Sequence, residues 1–168
     1  MKKEIKFKKC LAPTLLLILA LLVGATAFSA TMQLPKGMEL KVKLVTEVEL
    51  KSDKTAKDTQ IPITLVDPIV IAGKTLVEAG AKGTAKVTEV QKSGDGKPGM
   101  IKIAFVDLEP KGNYVTPNGA KIKLGGDITG QGKKKKSLLV FGKLTEGKIS
   151  TSDTYKATVA ESIVLESK

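Results

Sequence analysis

Four consecutive lysines, Lys133, Lys134, Lys135 and Lys136, are the densest concentration of one chemistry in this 168-residue chain. They follow Gly130-Gln131-Gly132 and precede Ser137, so the sequence predicts a glycine- and lysine-rich loop over residues 125–136. Ammonium groups on such a loop can bind lipid headgroups, an anionic cell-wall polymer or lipopolysaccharide. The competing role of a run of like charges is a solvated tip that keeps an exposed hairpin soluble. Arginine is absent, which removes the bidentate fork that recognises phosphate, carboxylate or guanine. With no aromatic residues interleaved among the lysines either, nucleic acid is a poor partner.

The other candidates for chemistry are thinner. The chain has no histidine, no tryptophan and a single cysteine, Cys10. Ser-His and Cys-His catalytic pairs and imidazole metal ligands are therefore excluded. Gly73-Lys74-Thr75 has the ending of a phosphate-binding loop, but Pro68 stands where that loop needs its first glycine. In Asp127-Ile128-Thr129-Gly130 an isoleucine intervenes in the Asp-Thr-Gly of aspartic proteases. Asp95 and Asp127 lie among glycines, yet each stands alone, whereas calcium takes six to eight oxygens. No catalytic residue, metal site or cofactor is expected. A histidine-free hydrolase finds no Ser-x-x-Lys in a strand-to-helix setting.

The N-terminus has the order of a secretory signal peptide over residues 1–30. Lys2, Lys3, Lys6, Lys8 and Lys9 precede an uncharged apolar run at 11–23, and Ala25-Thr26-Ala27 fits the A-x-A cleavage rule. Cleavage is expected after Ala27 or Ala30. Cys10 precedes the apolar run, so it leaves with the signal and is not placed to carry a lipid. Removing residues 1–30 takes five lysines and one glutamate from a net charge of +11, leaving +7 on one domain, residues 31–168. That domain has no cysteine, so burial and hydrogen bonds must stabilise it without disulfides.

Beyond residue 30 the apolar residues alternate with period two. Leu40, Val42 and Leu44 share one face of a strand whose other face carries Glu39, Lys41 and Lys43. Val45, Val48 and Leu50 then suggest a bulge or bend within one long strand. Residues 51–60 read as a loop, and Pro62 marks a strand start or edge. Gly73-Lys74 reads as a tight turn. Residues 84–90 and 100–108 read as strands flanking a long flexible hairpin tip, Ser93-Gly94-Asp95-Gly96-Lys97-Pro98-Gly99. Both faces of the second are apolar near its end, with Asp107 placed beside Ile101, Ile103 and Phe105, which makes it central. Residues 137–141 fit a strand or a short helix, and 154–165 one long closing strand. No sustained helical periodicity occurs outside the signal. The expected fold is all-β: a small antiparallel barrel or sandwich of about seven to nine strands, its interior filled by its own side chains.

An apolar anchor and a turn recur before three strands, at Leu34-x-x-Gly37, Val77-x-x-Gly80 and Ile149-x-x-Ser152. Together with Leu34-Pro35-Lys36-Gly37, residues 69–80, Gly96-Lys97-Pro98-Gly99 and Pro117-Asn118-Gly119, this order resembles small secreted bacterial β-barrel domains of unassigned function. Through residues 126–132 it is distantly similar to the C-terminal β-barrel of conjugation and type IV secretion channel proteins. It differs in carrying Ala79 where proline is usual and in lacking their apolar membrane-crossing excursion. The resemblance implies an envelope module. The expectation is a periplasmic or extracellular, non-enzymatic structural or binding module of the cell envelope. Its expected partner is an envelope protein or anionic envelope polymer, with no transmembrane span after signal cleavage. The alternative is an electrostatic binder acting through Lys133, Lys134, Lys135 and Lys136.

Overall fold

The computed structural model describes residues 31–47, 49–134 and 144–168. Residues 1–30, where a signal peptide is expected, Val48, Lys135, Lys136 and residues 137–141 lie outside the described residues. In chain order the strands are β1 (Thr31–Leu34), β2 (Glu39–Leu44), β3 (Leu50–Lys51), β4 (Gln60–Leu65), β5 (Ile69–Ile71), β6 (Lys74–Val77) and β7 (Lys82–Gln91). They continue with β8 (Met100–Leu108), β9 (Tyr114–Val115), β10 (Ile122–Gly125), β11 (Asp127–Gln131), β12 (Lys148–Ile149), β13 (Thr154–Val159) and β14 (Ile163–Ser167). A 3-10 turn at Pro117–Gly119 is the one helical element among the described residues.

Six strands close an antiparallel barrel in the order β10-β13-β2-β4-β7-β8, and β8 returns to β10 through Leu108↔Ile122 and Asp107↔Lys123. A seventh, β11, continues along β8 from Asp127↔Ala104 to Gln131↔Met100. The alternation read from the sequence explains why the barrel closes. Leu40, Val42 and Leu44 of β2, Ile61, Ile63 and Leu65 of β4, and Ile101, Ile103 and Phe105 of β8 all point inward and are buried. Each such side chain contributes about 1.5–3 kcal/mol by leaving water. The interior holds these apolar side chains, Phe105 being the aromatic one among those named.

Two bulges correct the phase where alternation breaks. In β7, Val87↔Ile103 is followed by Glu89↔Lys102, so Thr88 is the extra residue and Val90 returns toward the core. In β8, Phe105↔Ala85 is followed by Asp107↔Thr84, so Val106 is extra. Val106 is left 40% exposed, and Leu108 is turned fully inward. The apolar residues on both faces of β8 thus record a phase change. The strand is nonetheless central, paired with β7, β10 and β11. Asp107 is partly covered, with its Oδ1 buried, unbonded and 3.8 Å from Lys121 Nζ.

Several local expectations are corrected. The residues after Leu44 do not extend β2: Val45 is exposed, and Leu50 belongs to a separate ribbon with β12. Pro62 lies inside β4, between β2 and β7. Registered pairing with β2 ends at Leu44↔Ile63, and one further bond runs from the Val45 amide to the Pro62 carbonyl, so the missing N–H falls where that ladder gives out. The β5–β6 turn is Ala72-Gly73, one residue earlier than expected, with Lys74 already in β6. The closing strand is two strands. β13 stays in the barrel, whereas β14 leaves it and lies between β1 and β9 in a three-stranded sheet. Residues 127–131, expected within a loop, are β11. Gly126, with φ +100, lets the chain leave β13 after Leu124↔Val159 and Gly125↔Thr158 while still following β8, and its carbonyl accepts from the Phe105 amide at 3.1 Å.

Candidate anion-binding rim

At the end where β2 finishes and β8 begins, three segments meet: the β3–β4 loop, the β7–β8 hairpin tip, and the chain on either side of residues 135–143. Backbone hydrogen bonds join them directly. The Gly132 amide donates to the Gly99 carbonyl at 2.8 Å, and the Gly99 amide donates to the Thr145 carbonyl at 3.0 Å. The Thr145 amide donates to the Lys133 carbonyl at 3.1 Å, and Lys134 bridges Leu144, so the chain departs and returns side by side.

Glycine at these positions is a spatial requirement. A methyl group on Gly132 would collide with the Thr145 carbonyl, one on Gly130 with the Lys148 carbonyl, and one on Gly147 with the Gly130 carbonyl. The residues that read as loop glycines are in fact a seam where backbones touch. Below the seam, Leu50 and Ile149 of the β3–β12 ribbon are buried over the end of the barrel.

Ser52 ties the seam to the hairpin. It is fully buried, and its Oγ accepts from the Gly147 amide at 3.0 Å while donating to Asp53 Oδ1 at 3.0 Å. Asp53 in turn accepts from the Ser93 amide at 2.9 Å and from Ser93 Oγ at 2.5 Å. These Ser93 hydrogen bonds, with smaller help from Ser52 and Lys92, hold the Asp53 carboxyl below the ordinary aspartate range. The base of the hairpin tip, expected to be flexible, is thereby pinned to the β3–β4 loop.

The remaining carboxylates near the seam are also engaged. Lys51 lies 3.3 Å from Glu49 and 3.5 Å from Glu146, and Lys148 lies 3.4 Å from Glu146. The hydrogen bond that Lys51 donates to Glu49, then the charge of Glu146, raise the Lys51 pKa. Asp58 pairs with Lys86 at 2.9 Å. Lys133 and Lys134 are exposed and form no ion pair among the described residues, and the same holds for Lys54, Lys92 and Lys97. Asp95, at the hairpin tip, and Glu47, in the groove beside the rim, form no ion pair among the described residues.

Lys133 and Lys134, singled out in the sequence, stand on the same rim as Lys54, Lys92 and Lys97, which the sequence does not single out. Lys54 and Lys92 flank the Asp53–Ser93 junction, and Lys97 stands two residues before Gly99, so folding alone assembles them. The other sequence candidates are placed apart. Gly73-Lys74-Thr75 forms an exposed hairpin at the opposite end of the barrel. Asp127 is on β11, paired with Lys102 at 3.1 Å, far along the barrel wall from Asp95. Among the described residues no group of three or more Asp, Glu, Cys or His is placed to hold a metal, and no helix is long and apolar enough to cross a membrane. An open groove of about 660 Å³ beside the rim is lined by Lys43, Val45, Glu47, Thr151 and Ser152 among others. No protein-family model, curated protein or solved structure matches the chain.

Proposed function

We propose that this chain is an exported, non-enzymatic structural or binding module of the bacterial cell envelope, acting in the periplasm or outside the cell. The signal-peptide pattern of residues 1–30 supports export. The observation that carries the binding role is the division of chemistry in the barrel. Its interior is occupied by buried apolar side chains, while Lys54, Lys92, Lys97, Lys133 and Lys134, on neighbouring loops of one rim, are exposed and form no ion pair among the described residues. A filled barrel works through its surface, so a partner is met at the loops. The second reading makes this specific: Lys133, Lys134, Lys135 and Lys136 attract an anionic envelope component, and binding is therefore screened by salt.

The test is binding of residues 31–168, which hold every strand and core residue described above, to isolated cell envelopes at low and high salt. A variant with serine at all four positions from Lys133 to Lys136 is run beside it. Retention lost both in salt and in the variant identifies the lysine segment as the anchor. Retention insensitive to both points to a protein partner, and no retention at all removes the envelope-module reading.

A further inference from the structure

We propose that β11 pairs edge to edge with β11 of a second copy of this chain, antiparallel and with Thr129 on the two-fold axis. The inference goes beyond the envelope-module reading and does not depend on it. It starts from the direction in which the backbone of β11 faces. The Gly126 carbonyl accepts from the Phe105 amide, and the Gly132 amide donates to the Gly99 carbonyl. Between them the register runs unbroken from Asp127↔Ala104 to Gln131↔Met100. Bonding alternates along an antiparallel pair, so the even-numbered residues turn their N–H and C=O groups to β8. Asp127, Thr129 and Gln131 turn theirs the other way, and all three residues are exposed. No strand pairs with β11 on that side, because the pairing of β13 with β10 ends at Gly125↔Thr158. Among the described residues, no other backbone hydrogen bond reaches those three positions.

Free donors and acceptors at strand spacing are matched by another extended backbone. Edges that stay single commonly carry lysine, proline or a bulge. β11, Asp-Ile-Thr-Gly-Gln, has none of these, although the chain is rich in lysine. The other strands that border a sheet, β1, β3, β5, β6, β9 and β12, have two to four residues and turn at most two outward. The strand also fits itself. With Thr129 against Thr129, Asp127 stands against Gln131 of the second copy, and each outward residue exchanges both backbone bonds. A carboxylate then meets a side-chain amide, two threonines meet each other, and no like charges are opposed. Centring the pair on Gly130 would bring in Lys133, whose amide and carbonyl are taken by Thr145. Centring it on Ile128 would bring in Gly125, which is already paired with Thr158. The register on Thr129 is therefore the one that uses all three residues. Such a two-fold pair closes on itself and builds no fibre.

The experiment is sedimentation equilibrium of residues 31–168 from micromolar to millimolar concentration, since a single strand pair is a small interface. The parent, Thr129→Lys, Thr129→Glu and an equimolar mixture of the two variants are compared. Far-ultraviolet circular dichroism checks that each protein folds. The parent is expected to dimerise, each variant to associate roughly tenfold more weakly through a like-charge pair on the axis, and the mixture to regain association. Thr129→Cys gives a second reading, because residues 31–168 contain no cysteine. Opposed residues of a bonded pair have Cα atoms about 5.5 Å apart, within reach of a disulfide. Mild oxidation should cross-link Thr129→Cys and leave Asp127→Cys, which faces Gln131, as monomer. A parent that stays monomeric at millimolar concentration overturns the self-pairing and leaves the edge to a foreign strand. A dimer indifferent to both charges moves the contact to another surface, and variants that stay apart in the mixture overturn the register. Envelope retention is unaffected by any of these outcomes and tests the module reading separately.

Discussion

The two ends of the barrel are closed by different physics. At one end the β1–β14–β9 sheet and the β5–β6 hairpin bring Leu34, Leu165, Leu76 and Val77 into the common core, all fully buried. Outside that cover several lysines are paired with carboxylates, Lys41 with Asp67, Lys111 with Glu78 and Lys123 with Glu161 among them, while Lys36, Lys74 and Lys82 form no ion pair among the described residues. At the other end little apolar surface is available, and closure depends on backbones brought into contact through glycine and on the buried hydroxyl of Ser52. Hydrophobic closure tolerates some repacking, whereas a seam of backbone contacts needs no side chain and has no room for one. The seam frees the side chains outside it to carry charge.

Substitutions can break this contrast in order of expected effect. Leu165→Ala at the apolar end leaves a cavity and costs about 2–5 kcal/mol in denaturant unfolding, with amide exchange at Gly99, Gly132 and Thr145 in the seam unchanged below the unfolding transition. Faster exchange at those seam amides in that variant would mean that the ends are mechanically coupled. Gly132→Ala at the seam forces the Lys133–Thr145 region apart and costs about 1–3 kcal/mol, with faster amide exchange at Gly132, Gly99 and Thr145. Exchange unchanged at those amides would contradict the close approach described.

The smallest effect is a pH dependence. Asp53 is lowered in the folded state, so the stability it adds is complete above the ordinary aspartate value and is lost as pH falls through its folded value. The Ser93 amide resonance should shift over that acid window in the parent and stay constant in Asp53→Asn. A Ser93 shift in both proteins would assign the titration to another group.

How much of this was legible in the sequence depended on whether a residue's role was local. The alternation of Leu40, Val42 and Leu44, or of Ile101, Ile103 and Phe105, is a direct image of a wall with one wet face, and those strands and the all-β barrel were readable. β11 was not, because Gly126, Gly130 and Gly132 carry the composition of a loop. Their function, admitting Lys148 and Thr145 at close range, is a long-range property. The departure of β14 was equally hidden, since Val159 and Ile163 suit a continuous strand and only the partners β1 and β9 draw the chain away. The rim was half visible: four adjacent lysines announce themselves, but Lys54, Lys92 and Lys97 become neighbours of that run only through Ser52, Asp53 and Gly99.

The strands that pair late lie far apart in the chain. β2 needs β13, with Lys43 against Thr154, and β1 needs β14, with Thr31 against Glu166. The first wall strand thus has no second neighbour until nearly the whole polypeptide is present. Such distant pairings place a large loop-closure entropy ahead of the stabilising contacts, and domains built this way fold in milliseconds to seconds. During that delay the nascent chain remains an open, threadable thread. Completion therefore waits for β13, near the C-terminal end of the chain, which gives β2 its second neighbour in the wall.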